Sequence, residues 1–215
     1  GVEIANSDGQ FRFDNVRLSN LGNDGFVVSA ADGDVVITNS SLTDVNGIGI
    51  AATGNAAQIS VASTTLTRID GTAIEASGDD SVITVSATTI SDTRGVDGDA
   101  IVASGDRARI DIGTTTITTM TGQGIVASGT DSVVTATDST ITDTGSPAVL
   151  VEGTGATVYL DNTDISDVAG TGIVINAPDA VVQMTNGSTL SDTTLNGIDV
   201  LDADAELFVL GRSII

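Results

Sequence analysis

Apolar residues recur along the chain at a fixed long interval. Anchoring each unit on Val2, Phe26, Ile50, Ile74, Ile101, Ile125, Val149, Ile173 and Ile198 gives separations of 24, 24, 24, 27, 24, 24, 24 and 25 residues. Counting the anchor as position 1, apolar side chains return at positions 1 and 3, at 10 and 12, and at 17. Position 10 reads Phe11, Val35, Ile59, Ile83, Ile110, Val134, Val158, Val182 and Leu207, and position 17 runs from Leu18 to Ile214. Spacing by two within each patch is strand periodicity. Each unit therefore predicts three short strands separated by turns, closing one coil of an all-β solenoid. Successive coils stack about 4.8 Å apart. The longer intervals place three extra residues at 94–99 and one near Gly187, in turns, where a solenoid tolerates insertions. The whole of 1–215 reads as one such domain. Neither end shows a cap, so the expectation is an excised segment of a longer solenoid, or ends that stack on neighbours.

The turn positions repeat as well. Position 5 carries Gly54, Gly78, Gly105, Gly129 and Gly153, which predicts a left-handed backbone there. Position 24 is Gly or Ala, as a crowded bend requires. Position 15 is Ser or Thr from Ser40 to Ser188, predicting an inward hydroxyl ladder that satisfies itself along the stack. Position 14 carries Asn15, Asn39, Asn162 and Asn186. Position 7 is an Asp column of Asp8, Asp32, Asp80, Asp131, Asp179 and Asp204, interrupted by Arg107. An arginine between Asp80 and Asp131 relieves carboxylate repulsion, as does Arg68 between Asp44 and Asp92 at position 19.

The motif Ser/Thr-x-Ile/Leu-Ser/Thr-Asp, followed by Gly-x-Gly/Ala-Ile-x-x-x-Gly, resembles the right-handed parallel β-helix repeats of the pectate-lyase-like superfamily and of bacterial surface proteins. The resemblance covers essentially the whole chain. It implies about nine coils in a right-handed β-helix and leaves function open, because such folds host lyases, hydrolases, adhesins and tailspikes. The lyases it brings to mind use Arg, Lys, His or Tyr as base, often with Ca²⁺. The hydrolases use paired carboxylates.

Composition narrows these choices. There is no His, no Cys and no Lys, which removes the commonest general base and the usual transition-metal ligands. No Asp-Gly-His segment of the hydrolase type is found. Arg107 and Arg109 form the one basic cluster that could imitate a lyase base. A net charge of −22 makes nucleic acid and anionic lipid poor partners, and no apolar run is long enough to span a bilayer. Of the 29 acids, 25 are Asp, a turn-forming bias.

Four surfaces are candidates for function. Positions 16 and 18 of the third strand face outward as Ser41 and Thr43, Thr65 and Thr67, Thr89 and Ser91, Thr116 and Thr118, and Thr140 and Thr142. This hydroxyl lattice is similar to the Thr-x-Thr face of ice-binding solenoids. Position 2 includes Val102, Val126, Leu150 and Val174, read as an exposed aliphatic stripe for a partner. Asp143, Asp167 and Asp192 stack in successive coils, where Ca²⁺ would relieve their repulsion. Tyr159, with Phe208 two coils on, is a candidate sugar platform. No cofactor is required by this reading. The reading that results is a non-catalytic structural or adhesive segment of a secreted or cell-surface protein. Its partners are neighbouring coils, another copy, carbohydrate or ice. Ice binding and a polysaccharide-active or sugar-binding module are the alternatives.

Overall fold

A computed structural model describes residues 1–5, 9–95, 98–145 and 147–214. Asp8 of the position 7 column, the middle of the 94–99 insertion and Ile215 lie outside the described residues. Every strand pairs in parallel with its equivalent in the neighbouring coil, forming two nine-stranded sheets and one eight-stranded sheet. The first sheet is built from three-residue strands such as Ile101–Ala103, and the second from five-residue strands such as Arg109–Gly113. The third is built from strands such as Thr116–Met120. No helix is long and apolar enough to cross a membrane among the described residues.

The columns read from the sequence are spatial columns. Ile83 pairs with Ile110 and Ile110 with Val134, all three with no exposed surface. The three-residue insertion is absorbed between the third and first sheets, because Ile74 stacks on Ile101 without loss of register. The single extra residue falls between Thr185 and Thr189, beside Gly187 at φ +90. The interior is lined by Val, Ile, Leu and Ala. A fully buried Ile contributes roughly 1.5–3 kcal/mol relative to exposure, and the stack repeats that gain coil by coil.

Two turn expectations need correction. The position 5 glycines do not adopt left-handed backbone. They are required because a Cβ at Gly105 would lie 2.4 Å from the Gly78 carbonyl oxygen, and one at Gly129 would lie 2.1 Å from that of Gly105. The left-handed corners fall instead at positions 7, 14 and 19. All 22 non-glycine residues of positive φ among those described belong to these columns, and fifteen of them are Asn or Asp. Short side chains that bond locally tolerate that conformation best. Among the described residues ten aspartates, of 25 in the chain, stand at these corners, so the backbone accounts for part of the excess of Asp over Glu.

The position 15 hydroxyls are buried, but they find backbone partners rather than one another. Ser40, Thr64, Thr88, Thr115 and Ser139 each donate to the carbonyl two residues back, at 2.7–3.1 Å. The intervening left-handed residue folds that carbonyl against the hydroxyl. In turn the Val16 amide donates to Ser40 Oγ at 3.1 Å and the Thr115 amide to Ser139 Oγ at 3.2 Å. In the ninth coil Val200, Val209 and Ile214 occupy inward columns and remain 44%, 37% and 64% exposed.

Candidate functional surfaces

The outer face of the third sheet holds the hydroxyl lattice in register. Ser41 pairs with Thr65, Thr65 with Thr89, Thr89 with Thr116 and Thr116 with Thr140. Thr43, Thr67, Ser91, Thr118 and Thr142 form the parallel row. The rows differ in exposure. Thr65, Thr89, Thr116 and Thr140 are exposed, whereas the second row is half-buried. Members of that row also bond along the stack: Thr67 to Ser91 at 3.2 Å, and Thr142 to Ser166 at 3.1 Å. Asp164 breaks the first row, which resumes at Thr189, and accepts a hydrogen bond from that threonine at 2.7 Å.

The position 2 residues are not an exposed stripe. Val102, Leu150 and Val174 are half-buried, and Val126 is only 7% exposed. A three-residue strand offers one outward side chain between two turns, so the turns rise beside it and make the column the floor of a gutter. One stretch of this gutter, about 540 Å³, is lined by Asp24, Ile48, Asp70, Glu75, Asp99 and Val102. Asp24 Oδ1 accepts the Ile48 amide at 2.8 Å, and Asp99 Oδ1 accepts the Gln123 amide at 2.7 Å. Glu75 replaces an aliphatic residue in the floor. Burial pushes its carboxyl above the ordinary glutamate range and the charge of Asp24 adds to this, while hydrogen bonds from Ser77 and Ser104 oppose it. Glu75 interrupts the column between Ala51 and Val102, and the walls around it come only with the fold.

Two of the seven arginines, Arg68 and Arg107, stand at left-handed corners. Arg68 grips Asp44 with two hydrogen bonds, at 2.6 and 2.9 Å, while Asp92 is taken by Arg94 of its own coil. Arg107 likewise turns to Asp80 alone, at 2.7 and 2.8 Å, rather than bridging towards Asp131. A planar guanidinium satisfies one carboxylate with two parallel bonds better than it divides itself between two. Arg109 pairs with Asp111 two residues away, at 2.6 Å. The guanidinium bonds lower the Asp44 and Asp80 carboxyls, and the aspartates raise Arg107 and Arg109. A guanidinium held so firmly protonated is a poor proton acceptor.

Asp143, Asp167 and Asp192 all occupy left-handed corners. Asp167 accepts from Thr142 at 3.1 Å, and Asp192 from Ser191 at 3.0 Å. Among the described residues no group of three or more His, Cys, Asp or Glu is placed to hold a metal ion. On the second sheet Tyr159 and Phe208 point outward, 40% and 42% exposed, with Gln183 in register between them.

No curated protein matches the sequence. Among solved structures, a trypsin-treated form of QnrB1, a plasmid-mediated fluoroquinolone resistance protein, is similar at 10% identity and a TM-score of 0.26. That alignment covers 94% of this chain and 93% of that one. Residues 1–165 and 49–214 each match the family described as right-handed β-helix region. Three parallel sheets, a repeat of about 24 residues and that match agree: the chain belongs to the right-handed β-helix family.

Proposed function

We propose that this chain is a non-catalytic structural or adhesive stretch of β-helix in a secreted or cell-surface protein. It presents a rigid, acidic, hydroxyl-rich surface, and it packs laterally or end to end against further coils or another copy. The observation that carries this reading is where the reactive groups lie. Arg68, Arg94, Arg107 and Arg109 each hold a carboxylate, and Asp24 and Asp99 each accept a backbone amide from the next coil. Of these, the Arg68–Asp44, Arg107–Asp80, Asp24–Ile48 and Asp99–Gln123 bonds each tie one coil to the next, and the outward rows of Ser and Thr lie on the stack so joined. The test combines two measurements on the same protein. Beads coated with the chain are expected to be retained on at least one immobilised glycan or matrix surface. Polyuronates incubated with it at alkaline pH and Ca²⁺ are expected to yield no unsaturated product. Product formation overturns the non-catalytic reading, and failure of retention on every surface overturns the adhesive one.

A second reading, ice binding, is favoured by one observation: Thr65, Thr89, Thr116 and Thr140 are exposed and stacked in register. Thermal hysteresis with ice-crystal faceting, abolished by Thr116→Tyr, supports it. Freezing indistinguishable from buffer rejects it.

A further inference from the structure

We propose that the second sheet binds an extended, neutral β-1,4-linked glycan laid along the rod axis over Thr135, Tyr159, Gln183 and Phe208. The proposal rests on the adhesive reading and names a ligand for it. Tyr159 is the only tyrosine in the chain and sits at the centre of the strand Thr157–Asp161. Its sequence neighbours Val158 and Leu160 point inward with no exposed surface, so the ring stands on a fixed base. Thr135, Tyr159, Gln183 and Phe208 follow one another in register across four coils. The two rings are therefore two strand spacings apart, about 10 Å along the rod.

That interval has chemical meaning. An extended β-1,4-linked chain advances by about one coil spacing per sugar, and each sugar is turned over relative to the last. The same sugar face returns at every second residue, which is where the two rings lie. A pyranose face is apolar and C–H-rich, and it suits the electron-rich face of an aromatic ring. The neighbouring coils present groups able to pair with sugar hydroxyls: the Gln183 amide between the rings and the Thr135 hydroxyl before them. Asp161 flanks the track, accepting from Thr185 at 2.8 Å through Oδ1. Further along the same line, Asp111 pairs in register with Thr135. The charge of −22 selects against uronates and sulfated glycans and leaves neutral chains favoured.

Tyr159 also supplies the readout, since the chain has no Trp to mask its fluorescence. Titration of the full chain with cellohexaose and with chitohexaose is expected to give a saturable change in tyrosine emission with one or both, the two arms separating glucose from N-acetylglucosamine chains. Oligogalacturonate is expected to give none. Retention on insoluble cellulose or chitin is expected to weaken about tenfold, equal to 1.4 kcal/mol, for Tyr159→Ala and for Phe208→Ala. Tyr159→Phe loses the optical signal but keeps retention. The proposal is overturned if neither hexaose changes the emission, or if the double alanine variant with an unchanged melting temperature is retained like the parent. Coated beads that still adhere elsewhere would leave the broader adhesive reading standing.

Discussion

Glu75 and Asp80 lie five residues apart in one coil, yet their surroundings move their carboxyls in opposite directions. Glu75 sits in the gutter over the first sheet, where partial burial raises it above the ordinary glutamate range. Asp80 sits on a corner in water, where the two bonds from Arg107 lower it. The gutter penalises charge, and the corner neutralises it. The difference teaches that exposure along this rod follows strand length and turn height, since both residues point outward from the same backbone.

The largest effect expected from testing this contrast is at the corner backbone. Gly105→Ala places a Cβ against the Gly78 carbonyl and should lower unfolding stability by about 3 kcal/mol. Gly113→Ala, with nothing within 4 Å of the added carbon, should leave it unchanged or slightly raised. Denaturant midpoints of the two variants decide whether close coil approach holds the corner. Next comes the gutter floor: Val126→Ala should cost about 2 kcal/mol, against less than about 0.5 kcal/mol for the exposed Thr116→Ala. Equal costs would return the position 2 column to an ordinary surface stripe.

Smaller effects come from the charges. A carboxyl raised in the folded state binds its proton more tightly there, so stability falls as pH rises from about the unfolded value of 4.5 through the raised folded value. Glu75→Gln should therefore melt above the parent at neutral pH and converge with it in acid. A difference that grows as pH falls would contradict the burial of Glu75. For Asp80 the sign reverses: its contribution is present above the unfolded value of 3.8 and is lost as pH falls through the lowered folded one. Arg107→Ala should lower the melting temperature by a few degrees at most at neutral pH, less in high salt and not at all in strong acid.

Much of this was legible in the sequence because a solenoid converts distance along the chain into vertical stacking. Once the 24-residue interval was found, Ile83, Ile110 and Val134 had to pile up, and the excess of Asp fell into turn positions. The hydroxyl lattice followed from strand alternation in the same way. The gutter did not. Val126 and Thr116 both alternate outward, and only the height of the turns beside a three-residue strand separates them. The role of Gly105 was also misplaced, because glycine serves positive φ and close approach alike and the sequence does not say which.

The amino-acid sequence by itself determined the coil period, the inward columns and the residues that share each face, since these depend only on periodicity and side-chain polarity. Tertiary structure alone decided which carboxylate each arginine holds, which outward column sinks below its neighbours, and which corners take the left-handed turn. Those outcomes depend on atoms from adjacent coils meeting within a few ångströms, a geometry that exists only after the coils have stacked.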